Sequence, residues 1–325
     1  MILSERQILQ QVNEAIAAIE YPPQPKGLYE PIRYVLSIGG KRIRPVMMLL
    51  TAQALGCDIR KVMPAAVGLE TYHNYTLLHD DLMDRADMRR GMPTVHRKWD
   101  SNTAILSGDS MLVLACKHIL STPLPRKGEA MNVFVHTALQ IGEGQQYDMN
   151  FETRNDVAQD EYIEMIRLKT SVLIACAAKM GALLANADDQ VADSLYRFGE
   201  QIGLAFQLQD DLLDVYGDPQ VFGKRIGGDI LCNKKTFLLI NAMQLANTSQ
   251  REQLNSWINR KNFDEQEKIS TITEIYNQLD IRQLTAERIN YYFMQAQHTL
   301  NNIPLSQEGK QSLRDFANSL INRPA

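Results

Sequence analysis

Cysteine, aromatic residues and long apolar runs are scarce in this chain of 325 residues. It contains 4 cysteines without a C-x-x-C pair, and only 7% of its residues are aromatic. The cysteine pattern argues against a disulfide framework and a zinc site, and it indicates reduced thiols. Charges interrupt residues 1–20, unlike a signal peptide, and no apolar run reaches the ~20 residues that span a bilayer. We therefore expect a cytoplasmic protein without a membrane span.

An excess of positive charge is also missing. The chain has 34 Lys and Arg residues against 38 Asp and Glu residues, which gives a formal net charge of −4. A net charge of this sign does not attract polyanions, so the composition gives no support to nucleic-acid binding. An anionic substrate would need local clusters of Lys and Arg, or a bound metal ion.

Proline becomes rare after the first third of the chain. None lies between Pro125 and Pro219. The proline-free parts of the chain are rich in Ala, Leu, Met, Gln and Glu. Such composition favours long helices, and neither alternating strands nor an Asn-Gly hairpin signal is evident. No Gly/Ser-rich linker divides the chain. We predict one all-α domain over residues 1–325, with helices over 4–20, 28–38, 45–55, 62–84, 101–121, 127–150, 160–186, 190–216, 234–247 and several more up to 321.

Two clusters of aspartates stand out against this helical background. Asp80, Asp81 and Asp84 are followed much later by the same spacing at Asp210-Asp211-Leu212-Leu213-Asp214. At this spacing the carboxylates share about one helical turn, where like charges repel unless a cation lies between them. Oxygen ligands without His or Cys favour a hard ion such as Mg²⁺. A single copy is also compatible with a solvated helix end, but two copies in apolar surroundings favour a metal site.

Basic residues recur near both clusters. Backbone N–H groups and guanidinium groups together bind phosphate, although each basic pair is also compatible with a solvated loop or a helix cap. Lys169 lies between apolar stretches and must snorkel, pair or bind a ligand. His73 shares a face with the first aspartates and is compatible with either a structural or a binding role. The candidate cations are Lys41, Arg44, Arg89, Arg90, Lys169, Lys224 and Lys234.

Gln207 adds a polar residue to the second aspartate helix. Together with Asp210, Asp211 and Asp214 it forms a stripe at i, i+3, i+4 and i+7 on an otherwise apolar helix. A polar stripe of this kind faces a wet cavity or a ligand. Acidic groups that bind Mg²⁺, with cations nearby, predict chemistry on a diphosphate ester in a helical bundle. Apolar walls would suit a hydrophobic substrate.

The chain resembles the trans-polyprenyl (isoprenyl) diphosphate synthases of the farnesyl and geranylgeranyl type. The matching stretches occur in the family's order and span most of the chain. They are GGKRIRP at 39–45, HDDLMD at 79–84, RRGMPTVH at 89–96, GD at 108–109, GQQYD at 144–148, KT at 169–170, FQLQDDLLDVYGD at 206–218, GK at 223–224 and GGDILCNKKT at 227–236. One departure is Asn233, which stands where the family's last motif often has glycine.

The resemblance implies an isoprenoid synthase type I fold around a central cavity, usually as a homodimer. It implies that Asp80, Asp81, Asp84, Asp210, Asp211 and Asp214 hold about three Mg²⁺ ions on the allylic diphosphate. It further implies that Arg89, Lys169, Lys224 and Lys234 contact that diphosphate, and that Lys41, Arg44, His73 and Arg90 bind isopentenyl diphosphate. Thr170 and Gln207 would stabilise the carbocation.

The implied reaction is a head-to-tail (1′-4) condensation with ionisation, condensation and proton loss. Tyr75 and Thr76, one turn before Asp80, lie where the family sets product length. Their sizes indicate a C15–C20 product, with geranylgeranyl diphosphate favoured and a C30–C40 product open. Aspartate-rich helices also occur in terpene cyclases, in helical metal phosphohydrolases and in non-catalytic synthase subunits, and these three classes compete with the synthase interpretation.

Overall fold

The structure is a computed structural model that describes residues 3–218 and 226–321. Within these ranges nearly all regular structure is helical. The helices are α1 (Glu5–Ala17), α2 (Lys26–Ser37), α3 (Ile43–Ala54), α4 (Ile59–Met83), α5 (Val95–Lys98), α6 (Ser101–Leu120), α7 (Lys127–Glu152), α8 (Gln159–Ile166), α9 (Val172–Leu184), α10 (Asp189–Tyr216), α11 (Gly228–Leu231), α12 (Phe237–Leu245), α13 (Thr248–Asn259), α14 (Glu265–Gln278), α15 (Ile281–Asn302) and α16 (Gln307–Ile321). The predicted all-α fold class is confirmed.

Two local features differ from the sequence expectation. The helix predicted over 160–186 is divided, because a π-helical turn, Arg167–Ser171, separates α8 from α9. Such turns insert an extra residue into a helix and often mark functional positions. The turn after the first aspartates is a small antiparallel pair, β1 (Met88–Arg89) and β2 (Met92–Pro93).

The chain divides into two compact units, and the prediction of a single domain stays a prediction. In the described part of the chain, unit 1 comprises residues 3–136, 176–196 and 300–316. Its core is built on α4, which packs against α3 and α6. Every residue of α3 from Ile43 to Ala52 is buried. Gly68 lets α4 approach α6 closely, since a Cβ there would lie 2.8 Å from the Ala115 carbonyl oxygen.

Unit 2 comprises residues 137–175, 197–218, 226–299 and 317–321. An apolar cluster joins the end of α10 to α12, α13 and α14, with Val215, Leu239, Trp257 and Ile272 among its buried members. The short helix α11 packs on α14. These contacts hold the residues that flank α11 next to α14.

Helix α6 has the length and composition of a membrane span. Among the described residues it is the one helix that is long and apolar enough, and 33% of its apolar stretch is buried inside the protein. Such a helix is weak evidence for a membrane, because core helices of soluble proteins have the same composition. Asp109 and Lys117 interrupt it, in agreement with the absence of a continuous apolar run.

Candidate active site

The first aspartate cluster lies at the carboxyl end of α4. Asp80 and Asp81 are in its last turn, and Asp84 is its C-cap residue. The second cluster lies at the corresponding end of α10, which terminates at Tyr216. Because the negative end of the helix dipole disfavours carboxylates, both placements cost free energy unless cations compensate them. Helix stability alone would favour carboxylates at the amino end of a helix, so the position of these aspartates indicates another role.

Asp81 is engaged by a guanidinium group. It is 6% exposed, and Arg89 Nε lies 2.9 Å from its Oδ1 and 2.8 Å from its Oδ2. Arg89 reaches this position from the β1–β2 hairpin, whose loop residues Arg90 and Gly91 have φ values of 51° and 76°. Positive φ at both loop positions is typical of a tight type I′ turn. The hairpin thus aims two consecutive arginines at the end of α4 and its surroundings.

Arg90 links the hairpin to the glycine-rich loop at 39–42. Its guanidinium group donates to the carbonyl oxygen of Gly39. A Cβ at Gly40 would lie 2.5 Å from the Arg90 side chain, and Gly40 has a φ of 140°. The positive φ favours glycine at position 40, and a Cβ there would displace the end of the Arg90 side chain. The structure brings together two predicted elements of the isopentenyl diphosphate site.

Arg42, in the same loop, has a structural role that the sequence did not reveal. It is 4% exposed and has a φ of 48°. Its guanidinium group bonds Glu70 Oε1 at 2.8 Å, the Leu36 carbonyl oxygen at 2.7 Å and Asn13 Oδ1 at 3.1 Å. This buried pair fixes the loop on α4 and leaves Lys41 exposed beside it.

Arg44 and His73, which the resemblance assigns to the same substrate, lie in contact. Arg44 Nη1 is 3.1 Å from His73 Nε2, so the imidazole accepts this bond as the neutral ring. Part of His73 reaches solvent, yet desolvation of the ring, followed by the charges of Arg44 and Arg90, lowers its pKa well below 6.5. A neutral His73 can accept from the Arg44 guanidinium group and orient it without adding charge of its own.

This lowered pKa predicts a pH-dependent stability for the substrate-free protein. The unfolded chain binds a proton at His73 below about pH 6.5 while the folded protein does not, so the free energy of unfolding falls as the pH decreases. The slope from this group is at most about 1.4 kcal/mol per pH unit. Denaturant unfolding between pH 5 and 7.5 should show that His73→Asn removes part of the slope; the same exchange at the exposed His136 is the matched control. An unchanged slope in His73→Asn would contradict this interpretation.

The two predicted chain-length residues lie on α4 within an aromatic row. The Tyr75 ring centroid is 5.4 Å from that of Tyr72 and 4.7 Å from that of His79, and Tyr72 meets Phe134 edge-on at 5.0 Å. Phe134 and Tyr72 are buried, whereas Tyr75 is partly exposed. Thr76 donates from Oγ1 to the His73 carbonyl oxygen at 2.8 Å. Tyr75 is therefore held by neighbours on both sides along the helix.

The second cluster contains the most enclosed carboxylate of the set. Asp211 is 3% exposed; the Tyr162 hydroxyl donates to its Oδ2, and Gln207 Nε2 donates to its Oδ1 at 3.0 Å. Burial and then the charge of Asp229 raise the pKa of Asp211 to about 7, against the opposing effect of the Tyr162 hydrogen bond. A divalent cation at this carboxylate would stabilise its charged form against both burial and the charge of Asp229.

The π-helical turn presents Lys169 and Thr170. Lys169 Nζ lies 2.7 Å from Asp148 Oδ2, and Thr170 donates from Oγ1 to Gln207 Oε1 at 3.0 Å. A Cβ at Gly144 would lie 2.4 Å from the Lys169 backbone nitrogen, so α7 touches this turn directly. Thr170, Gln207 and Asp211 thus form one hydrogen-bonded row.

The loop at 226–236 folds back on the second cluster. The Asp229 N–H donates to Asp214 Oδ2 at 2.9 Å, and the Gly227 N–H donates to the Asp214 carbonyl oxygen at 2.6 Å. Lys234 Nζ is 4.0 Å from Asp229 Oδ1. Lys234 is therefore placed near the acidic cluster, while the predicted Lys224 lies outside the described residues.

Three residues that contact candidate site residues were not singled out in the sequence. Asp148 and Asp229 stand inside motifs that carry the family resemblance, at GQQYD and GGD, so their motif positions could have identified them. Tyr162 carries no motif signal. Its role depends on a contact with Asp211 that is distant in sequence.

The donor chemistry suits a hard cation. Each cluster offers carboxylate oxygens, and in the described ranges no group of three or more His, Cys, Asp or Glu residues is already arranged around a single point as a metal site would be. The raised pKa of Asp211 and the placement of both clusters at helix carboxyl ends each indicate that bound cations would stabilise these carboxylates.

Known proteins identify the family. The polyprenyl synthetase family model matches residues 25–276. The geranylgeranyl diphosphate synthase of Methanosarcina mazei is 46% identical over 236 residues, covering 72% of each chain. The geranylfarnesyl diphosphate synthase of Natronomonas pharaonis is 41% identical over 249 residues, covering 71% of this chain and 73% of its own. A crystal structure of a geranylgeranyl pyrophosphate synthase matches 100% of both chains with a TM-score of 0.93 and 39% identity.

The fold and the matched motifs thus define an all-α enzyme of the prenyltransferase type. The chain belongs to the polyprenyl synthetase family. The resemblance drawn from the motifs is confirmed at the level of family, fold and enzyme class.

Proposed function

We propose that this protein condenses isopentenyl diphosphate head-to-tail with an allylic diphosphate to form a short-chain all-trans prenyl diphosphate. Family membership supports the reaction class. The relatives that make the 20-carbon and 25-carbon products by name support a short product, and we favour geranylgeranyl diphosphate. The observation that carries the proposal is the pair of aspartate clusters at helix carboxyl ends, each beside basic residues.

The proposed roles follow the chemistry of each side chain. The six cluster aspartates would hold about three Mg²⁺ ions, which supply Lewis-acid stabilisation of the allylic diphosphate as it departs. Arg89, Lys169, Lys224 and Lys234 neutralise the remaining charge of that diphosphate. Lys41, Arg44, His73 and Arg90 hold isopentenyl diphosphate, with the neutral His73 accepting from Arg44.

The condensation needs protection of a carbocation. The Thr170 hydroxyl and the Gln207 amide lie in one hydrogen-bonded row, so their oxygen dipoles are fixed before the reaction begins. Apolar side chains exclude water from the cation. The proton released after carbon–carbon bond formation passes to the departing diphosphate.

Release of inorganic diphosphate tests this reaction against the competing enzyme classes. With Mg²⁺ present, we expect release only when both isopentenyl diphosphate and an allylic diphosphate are supplied. Release from the allylic substrate alone would favour a cyclase, and release of monophosphate would favour a phosphohydrolase. No release under any condition would favour a non-catalytic subunit.

We propose that the protein forms a homodimer through the outer face of α6. Leu106 and Val113 lie seven positions apart, so they share a face of the helix. They are 60% and 68% exposed. An apolar face of this kind on a soluble protein is typical of an interface. Burial against a second copy accounts for the apolar composition of α6 without a membrane, and the proposed location is the cytoplasm.

Placing a charge on this face should separate the subunits. We expect Leu106→Asp to convert a dimer into a monomer in sedimentation experiments at micromolar concentration, because an unpaired carboxylate would be buried in the contact. Gln253→Glu, an exposed position on α13, serves as the control. A wild-type monomer, or a variant that stays dimeric, would rule out this interface.

A further inference from the structure

A lysine is buried in the first turn of α14. Lys268 is 0% exposed, and its Nζ lies 4.3 Å from the centre of the Phe263 ring. It donates to the Leu231 carbonyl oxygen at 3.2 Å and to Asn233 Oδ1 at 2.7 Å, both neutral oxygens. The amino end of a helix disfavours a cation, and burial of a charge away from a counter-charge costs further free energy. Methionine would fill the same apolar space without the free-energy cost of burying a charge. We therefore expect a contact that only the ammonium group can make.

That contact is with Asn233, the residue that stands where the family motif often has glycine. Its φ of 54° is left-handed, a conformation that glycine adopts freely and asparagine adopts more readily than most residues. Unlike glycine, Asn233 also brings a side chain. Its Nδ2 donates to the Ile258 carbonyl oxygen at 3.1 Å, and its Oδ1 accepts from Lys268.

Asn233 is therefore tied on several sides. Its N–H donates to the Ile230 carbonyl oxygen at 3.2 Å, and its own carbonyl oxygen accepts from Lys235 Nζ at 3.3 Å. The amide side chain joins α13 to α14 through Ile258 and Lys268. A glycine at 233 would leave only the backbone contacts and a freer chain.

The next residue is Lys234, a proposed diphosphate ligand. Its N–H donates to the Asp229 carbonyl oxygen at 2.9 Å, and its carbonyl oxygen accepts from the Thr236 N–H at 2.9 Å. Asn233, Lys234, Asp229 and Tyr276 line one small pocket. Any shift of the Asn233 backbone is thus passed directly to the base of the Lys234 side chain.

We propose that Lys268 is a positioning residue, which holds Asn233 and thereby fixes the backbone from which Lys234 reaches the allylic diphosphate. This inference rests on the proposed function. Lys268 does not touch substrate. Its hydrogen bond to Asn233 restricts the conformation of a loop that would otherwise be freer.

A double-mutant cycle with Lys268→Met and Asn233→Gly tests the coupling. Each single variant is expected to raise the KM for the allylic diphosphate about tenfold, the effect of one lost charged hydrogen bond, while the KM for isopentenyl diphosphate changes less than about twofold. The double variant should be no worse than Asn233→Gly, because that exchange already removes the side chain that Lys268 contacts, together with the bond to Ile258. Lys268→Arg should recover part of the affinity. Lys310→Met, an exchange on α16 in the other unit, is the matched control.

Binding of inorganic diphosphate with Mg²⁺, measured by calorimetry, gives a readout that does not depend on turnover. We expect the same loss of about tenfold in both single variants. Inactive wild-type protein would reject the proposed function, and the calorimetric cycle would still decide the role of Lys268. A lowered melting temperature with unchanged KM and unchanged diphosphate binding would overturn the inference, since it would leave Lys268 a purely structural residue. If Lys268→Met does not fold, Asn233→Gly and Lys268→Arg decide together. A raised KM for the allylic diphosphate in Asn233→Gly, with a smaller rise in Lys268→Arg, supports the coupling, and an unchanged KM in Asn233→Gly overturns it.

Discussion

Replacing Asp211 by asparagine is expected to lower kcat about 10²–10³-fold, comparable to the loss of one strong electrostatic contact to a transition state. The exchange keeps the shape of the side chain and removes its negative charge. Asp211 is the cluster residue that Tyr162 and Gln207 hold in place, so its carboxylate is fixed where the proposed cations would bind. Steady-state rates at saturating Mg²⁺ measure the effect. Asp193→Asn, an exchange on the same helix at a side chain that is 55% exposed, should stay within about twofold of the wild type.

The stability of the same variant separates lost chemistry from lost folding. The pKa of Asp211 is raised from 3.8 to about 7. Between these values the folded, metal-free protein keeps a proton that the unfolded chain releases, so stability falls as the pH rises. Asparagine never ionises. We expect Asp211→Asn to be more stable than the wild type in the absence of metal above about pH 7 and to lose this advantage near about pH 4. An inactive variant that is also unfolded at about pH 7.5 would contradict the assignment of Asp211 to binding.

Replacing Tyr75 by alanine is expected to lengthen the product by at least one five-carbon unit. The ring of Tyr75 lies against Tyr72 and His79, and the next ring in the row is Phe134, so the space it occupies has firm neighbours. When an aromatic side chain is removed from such a row, we expect its neighbours to stay in place and a cavity to remain. A prenyl chain that ends at this ring would then extend into the vacated volume. Chromatography of the dephosphorylated products measures the change.

Tyr75→Phe is the matched control, since it keeps the ring and removes only the hydroxyl. It should leave the product length unchanged. A Tyr75→Ala enzyme that makes the wild-type product would show that the chain ends elsewhere on the protein. Thr76→Ala then becomes the informative variant, because Thr76 lies beside Tyr75 on the same helix.

The candidate site residues could be picked out from the sequence because short motifs contain them, and their roles stay predictions. The two aspartate clusters, the glycine-rich loop and the arginine pair are each contiguous in sequence, and helical periodicity indicates which side chains share a face. The resemblance assigned Arg44 and His73 to one substrate, but the contact between them is visible only in the structure. Their roles in binding stay predictions.

Other features depend on contacts that no local pattern encodes. Tyr162 is separated by forty-nine positions from Asp211, and Arg42 by twenty-eight from Glu70. The π-helical turn at Arg167–Ser171 interrupts a stretch whose composition favours an uninterrupted helix. Asn233 could be recognised as a departure from the family motif, but its partner Lys268 lies on another helix and had no sequence signal.

The incorporation of labelled isopentenyl diphosphate tests the central claim most directly. Purified protein is incubated with Mg²⁺ and, separately, with dimethylallyl, geranyl or farnesyl diphosphate, and the dephosphorylated alcohols are resolved by chain length. We predict that all three primers lead to one discrete all-trans end product, with geranylgeraniol favoured, and that chelation of the metal abolishes it. No incorporation with any primer would contradict the proposed condensation.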